Sequence, residues 1–270
     1  MKLCALPELS ASLIVTLLVF MLASAEAQGT RAAVSTWNAP RTPDGQPDVH
    51  GLWDAEGVGI EVQQDVENGS DPVHSTMLRQ KILPSRLIVD PPDGRIPYQP
   101  WAAAKKREHF DNRYSHDRRL RDPIASCRMA GVPRMNYQGG VRIHQVPGFV
   151  VLALDAYHTA RIVPLDDRPR LSSNVKLWMG DSRGRWEGAT LIIDSTNYND
   201  RTWFDWAGNF HSDALRVSER WIFVDASTAR YEATLEDAKV YTRPWRIAMT
   251  FKKQRDQEPW EEACFEGSIP

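Results

Sequence analysis

The sequence predicts a mainly β protein, an antiparallel meander closing into a lipocalin-like β-barrel, with a proline-rich N-terminal arm and one helix. Three observations carry this prediction. From Gly139 onward apolar and polar residues alternate with period two, the signature of strands with one buried face. These runs are joined by short connections of Pro, Gly, Asp and Ser, so strands adjacent in sequence pair as neighbours, and about eight of them close into a barrel able to hold one small ligand. Before residue 136 the chain carries eleven prolines after position 28, and proline removes ladder donors, so 28–135 is expected to be an extended arm rather than sheet.

The first 27 residues read as a secretory signal peptide. Lys2 precedes an apolar run over 13–22, and small residues follow, with cleavage after Ala25 or Ala27. That run is shorter than the roughly 20 residues a membrane-spanning helix needs. The protein is therefore expected to be secreted or periplasmic without a membrane anchor, and Cys4, lying before the apolar run, is wrongly placed for lipid attachment. The whole chain carries a net charge of −2, of which Lys2, Glu8 and Glu26 account for −1, leaving −1. Near-neutrality argues against nucleic acid as a partner.

Cys127 and Cys264 remain after export, and an oxidising compartment favours a disulfide bond between them, with two separately buried thiols as the alternative. Such a loop closure contributes on the order of 4 kcal/mol in the chain-entropy model.

Along the arm, 47–53 ends in Leu52 and Trp53, an aromatic able to anchor it. Residues 86–90 read as a short strand running into a turn over 91–95. The helix is expected over about 100–120, where Pro100 suits the first turn and Ala102, Ala103, Ala104, Lys105 and Lys106 favour helix. His109 and His116 are two helical turns apart there, without a third ligand for a metal. The barrel domain, 136–270, begins with a hairpin of 141–146 and 149–156 turning at Pro147 and Gly148, followed by a strand at 159–165. A second hairpin is expected from 175–179 and 186–196 with its turn at 181–184. After a loop over 197–212 come strands at 214–224, 229–236 and 245–251.

Polar residues falling on apolar strand faces are the candidates for function. On the strand 215–223, Glu219 shares a side with Leu215, Val217, Trp221 and Phe223. An unpaired carboxylate there is costly, so Glu219 is either ion-paired, to Arg161, Arg183 or Arg243, or is an acid/base group with a raised pKa. Asp155 falls likewise with Phe149, Val151, Ala153 and Tyr157, and His158 and Arg161 follow it; a capped hairpin end would use the same residues. His211, in the loop leading to the Glu219 strand, changes charge near neutral pH and is the foremost proton carrier, with a metal pair to Asp213 or an ordinary loop histidine as the alternatives. Arg183 offers a fork of donors to a ligand oxygen, and Asp181 either joins it or caps its own turn. Trp186, Trp206 and Trp221, with Trp203, supply an apolar wall to a ligand or simply pack the core.

Nucleophile elbow, His-Glu-x-x-His, P-loop, dinucleotide glycine and Cys-x-x-Cys motifs do not occur in the sequence, which disfavours serine hydrolase, metalloprotease, kinase and thiol-redox chemistry. No cofactor or metal is expected. Asn68-Gly69-Ser70 forms a glycosylation acceptor.

The segments PRTPDGQPDVHGLW from Pro40, VDPPDGRIP from Val89, WMGDSRGRWEGATLIIDSTNYND from Trp178, NFHSDALRVSER from Asn209, YEATLEDAKVYTRPW from Tyr231 and EEACFEGSIP from Glu261 resemble a family of exported bacterial proteins without an assigned activity. The resemblance implies export and one fold across the mature chain, and nothing about chemistry. Where that family carries Cys-His-Glu-Gly this chain has Cys264-Phe265-Glu266-Gly267, which weakens a metal site at the C-terminus.

The residues together favour a cofactor-independent acid/base enzyme, a lyase, isomerase or cyclase acting on a small, largely apolar metabolite. His211, Glu219, Asp155 and His158 would be catalytic, and Arg183, Arg161, Asp181 and the tryptophans would bind substrate. The alternatives are a non-catalytic carrier of a hydrophobic small molecule and an envelope interaction protein acting through its arm.

Overall fold

Alternation of apolar and polar residues does build a barrel. A computed structural model describes residues 35, 37–56, 87–137, 139–154 and 159–255. The expected signal peptide, the glycosylation acceptor, Asp155, His158 and Cys264 lie outside the described residues. Ten strands form one sheet: β1 (Gly51–Ala55), β2 (Ile88–Asp90), β3 (Val141–Val146), β4 (Phe149–Leu154), β5 (Ala160–Pro164), β6 (Asp181–Glu187), β7 (Thr190–Thr196), β8 (Arg216–Phe223), β9 (Thr228–Glu236) and β10 (Trp245–Gln254). Their order is β5-β4-β3-β1-β10-β9-β8-β7-β6, with β2 added on β10.

Followed around the barrel, nine of these strands succeed one another in chain order, an up-and-down meander with β5 and β6 as the two edges. Every ladder in that path is antiparallel. Nine is odd, so strand direction cannot alternate all the way round, and β5 and β6 run parallel. A parallel neighbour requires a long crossover, which residues 165–180 supply. The barrel is therefore nearly closed, and side chains span its seam. Arg161 Nε on β5 donates to Ser182 Oγ on β6 at 3.0 Å. Gly184 on β6 leaves room for Val163 and Leu165, which a Cβ at 184 would meet at 2.7 and 2.9 Å.

The interior is lined by alternate residues of each strand, among them Trp53, Ile143, Leu152, Ile193, Trp221, Phe223, Tyr231, Trp245 and Phe251, all essentially inaccessible to water. An aromatic side chain buries about 150–250 Å², worth roughly 4–6 kcal/mol at 25 cal/mol/Å² as an upper estimate. Trp53 and Phe223 meet edge to face at 5.2 Å, and Trp221 packs on Tyr231 at 4.9 Å and Phe251 at 4.6 Å.

One mouth is covered by the arm: Ser35 Oγ donates to the carbonyl of Phe223, and Trp186 Nε1 donates to Gln46 Oε1 at 3.2 Å. Near Trp245 and Leu215 the barrel is packed by the loop 203–211, a 3-10 turn Arg134–Tyr137 and helix α1 (Pro100–Asp111). Among the described residues no helix is long and apolar enough to cross a membrane.

Four expectations are corrected. The chain at 175–179 forms no strand, and 181–184 is no turn: β6 runs through it, and the hairpin turns at Gly188 and Ala189 instead. Gly188, at φ 62°, supplies the left-handed residue such a tight turn demands. The helix stops at Asp111, where Asn112 caps it by returning its backbone N–H and side-chain amide to the Glu108 carbonyl, so His116 lies beyond it. Lastly, the boundary at 136 does not divide arm from sheet, because β1 sits between β3 and β10 and β2 pairs with β10.

Candidate functional site

Strand alternation puts Glu219 inside the barrel between Val217 and Trp221, as read from the sequence, and the fold gives it a partner across the lumen. Arg161 enters from β5. Its Nη1 donates to Glu219 Oε1 at 3.0 Å and its Nη2 to Oε2 at 2.5 Å, a two-pronged pair. Both side chains are almost wholly excluded from water, at 2% and 0% exposure.

The rest of each group is also engaged. Tyr231 hydroxyl and Asn136 Nδ2 donate to Oε1 at 2.9 and 3.3 Å. Arg161 Nη2 also donates to Ser195 Oγ at 2.7 Å, and the hydroxyls of Ser182 and Ser195 lie 3.0 Å apart. Burial acts against the charge on Arg161, and the adjacent carboxylate outweighs it, so the guanidinium is held even more firmly protonated than usual. Burial first, then the charge of Glu219, push the Tyr231 hydroxyl well above its ordinary range and keep it a donor.

Near this pair, among the described residues, three buried polar atoms lack a hydrogen bond of ordinary geometry: Oδ1 of Asn136, the hydroxyl of Tyr198 and Nε1 of Trp221. Asn136 already touches Glu219 through its other amide atom, Trp221 packs on Tyr231, and Tyr198 lies within the fields of Arg161 and Glu219. The Tyr198 hydroxyl sits beside Ser195 without a hydrogen bond of ordinary geometry. Its pKa is raised chiefly by burial.

His211 belongs to a neighbouring pocket of packing. Its Nδ1 faces the Ser212 carbonyl at 2.8 Å and so carries the proton, leaving Nε2 to accept from the Thr202 hydroxyl at 2.6 Å. Tyr198 and Phe204 wall it at ring distances of 5.9 and 5.3 Å. Burial lowers its pKa, so the ring is neutral at neutral pH. Asp213 does not join it in a metal pair but holds Lys239 at 2.6 Å and Lys176 at 3.6 Å.

Arg183 and Asp181 lie on the outer face of β6. The Arg183 fork is used internally, on Asp181 Oδ1 at 2.5 Å and on the carbonyls of Ser182, Arg168 and Pro169. Asp181 accepts the backbone N–H of Leu171, which fastens the 165–180 crossover rather than capping a turn of its own. Of the tryptophans, Trp221 lines the lumen and Trp186 its arm-covered mouth, 6.1 Å from Phe223. Trp206 stands apart, its ring facing Arg134 at 5.9 Å.

Sequence reasoning missed Ser182, Ser195, Tyr231, Asn136 and Tyr198. Ser195 and Tyr231 were legible, since they continue the interior alternations Leu191-Ile193-Ser195 and Ala229-Tyr231-Ala233. Asn136 sits in a 3-10 turn and has no such periodic signal.

A carboxylate with four donors and an imidazole with both nitrogens engaged are poorly placed to take a proton from a substrate. The arrangement instead neutralises a charge pair in an apolar lumen and leaves an acceptor, an indole donor and a hydroxyl beside it. No protein-family model and no curated protein matches this sequence.

Proposed function

We propose that this protein is a non-catalytic carrier whose barrel encloses a small, largely apolar molecule, with the polar atoms beside the Arg161–Glu219 pair fixing the molecule's own polar group. The observation that carries this reading is the set of buried atoms on Asn136, Tyr198 and Trp221 that, among the described residues, lack a hydrogen bond of ordinary geometry. Each such atom costs about 1–3 kcal/mol unpaired, and a ligand offering one donor and one acceptor would offset much of that cost. A carrier needs no free base, whereas the acid/base reading asks Glu219 and His211 for lone pairs they have committed elsewhere. The β5–β6 seam is the natural entry, because opening it breaks no backbone ladder. In keeping with the resemblance to exported proteins, the carrier works outside the cytoplasm, after removal of residues 1–27, with Cys127 and Cys264 joined.

The test is titration with the neutral fluorophore N-phenyl-1-naphthylamine, read by energy transfer from tryptophan. Saturable one-site binding is expected. Tyr198→Phe removes a buried hydroxyl that has only a poor contact with Ser195, so the empty protein should be as stable or about 1 kcal/mol more stable, while capture of a hydroxyl-bearing probe such as 1-naphthol weakens. Emission rising linearly with fluorophore and never saturating would sink the proposal.

A further inference from the structure

A cleft separate from the lumen lies on the outside. The segment 91–98, a turn followed by extended chain, and one face of α1 border a cleft of about 630 Å³, within the range of small-molecule sites. Ala103, Lys106 and Arg107, at helical spacings of three and four, present that face of α1. The opposite wall is apolar, from Pro91, Ile96, Pro97 and Tyr98, and Arg243 completes the lining.

The wall is fixed before any ligand arrives. Gln99 N–H donates to the Val240 carbonyl and Thr242 N–H to the Pro97 carbonyl, both at 2.8 Å. Tyr98 stacks on Phe210 at 5.9 Å, and its hydroxyl donates to Asn209 Oδ1 at 3.0 Å.

The charge is lopsided. Of the five charged lining residues, Asp93, Arg95, Lys106, Arg107 and Arg243, four are cationic. Two of the cations have acids to face, Arg107 with Asp111 at 3.1 Å and Arg243 with Asp90 at a long 3.3 Å, an acid it shares with Arg246. Lys106 is buried and acts on the carboxylate of Asp205. Arg95 is exposed, and among the described residues its guanidinium makes no hydrogen bond or ion pair. Asp93 meanwhile accepts the Arg95 backbone N–H at 3.0 Å, which pins the turn that holds Arg95 at the cleft.

We infer that this cleft binds a small organic anion, with its carboxylate or phosphate on Arg95 and Arg243 and its apolar body against Ile96, Pro97 and Tyr98. A planar guanidinium fork suits either oxyanion, and an uncharged body of similar shape would lack the charge-assisted bonds that hold it.

Calorimetric titration of the full chain with benzoate, phenyl phosphate, inorganic phosphate and benzyl alcohol separates the possibilities. At low salt, benzoate or phenyl phosphate is expected to bind saturably, whichever is tighter naming the headgroup. Inorganic phosphate should bind less tightly and benzyl alcohol not measurably. Arg95→Glu should weaken binding at least ten-fold and Arg243→Gln several-fold, with unchanged melting temperatures. Arg216→Gln, on the outer face of β8, should bind as wild type. Wild-type affinity in Arg95→Glu, or equal affinity for benzyl alcohol, would overturn the inference. Because the lumen probe is neutral, loss of binding here leaves the carrier reading untouched.

Discussion

Taking a guanidinium and a carboxylate out of water costs several kcal/mol per ion, and the Arg161–Glu219 pair offsets this only through its two-pronged geometry and the extra donors of Tyr231 and Asn136. Removing one partner leaves the other charge buried and alone. Arg161→Met and Glu219→Gln should each cost about 3–5 kcal/mol in urea unfolding. The double variant Arg161→Met with Glu219→Met should recover much of that loss, since two apolar chains fit where the neutralised pair stood. With Glu219→Met as the matching single variant, a double loss equal to the sum of the two single losses would mean that the pair is not coupled as described. Glu219's inward direction was legible, because one residue in an alternating strand has only two sides. Its partner was not: Arg161, Arg183 and Arg243 were equal on chemistry, and the choice depends on which strand meets β6 across the seam.

A strand is read locally, but a seam is a property of counting. That β5 and β6 meet in parallel follows from the odd number of strands, and the number rested on β1, hidden in a proline-rich stretch as five residues. The same seam explains the misread hairpin. Asp181-Ser182-Arg183-Gly184 has the composition of a turn, yet Ser182 is there to receive Arg161 and Gly184 to admit Val163 and Leu165. Gly188, in an equally plausible turn, does the turning, and only pairing with a distant strand distinguishes the two. Gly184→Val should therefore act as overpacking at the seam, costing about 1–3 kcal/mol by denaturant unfolding. At Gly208, φ 81°, an added Cβ would stand 2.6 Å from His109 Cβ and 3.0 Å from Phe110 N. Gly208→Ala should prise α1 from the loop 203–211, read as faster amide exchange in the helix at little change in the β-sheet.

The barrel and the helix packed on its end share one pH liability. His211 is sealed between Tyr198, Phe204 and Thr202, and His109 stacks on Trp203 at 4.4 Å with Nδ1 on the Gly208 carbonyl. Burial lowers the pKa of both below the ordinary 6.5. The carboxylates of Asp237 and Asp200 pull His211 the other way without prevailing. A histidine that resists protonation only when folded makes the unfolded chain the better proton binder once pH drops past 6.5. Its contribution is whole above that pH and is lost as pH falls toward the folded value. Urea midpoints should therefore fall between pH 7.5 and pH 5.5. In His211→Gln, which cannot take up a proton, the fall should be smaller, the remainder belonging largely to His109, while at pH 7.5 the variant loses only its packing and its Thr202 bond. A variant whose midpoint fell as steeply with acid as wild type would show that His211 is reached by protons without unfolding, and that this end of the barrel opens in the native protein.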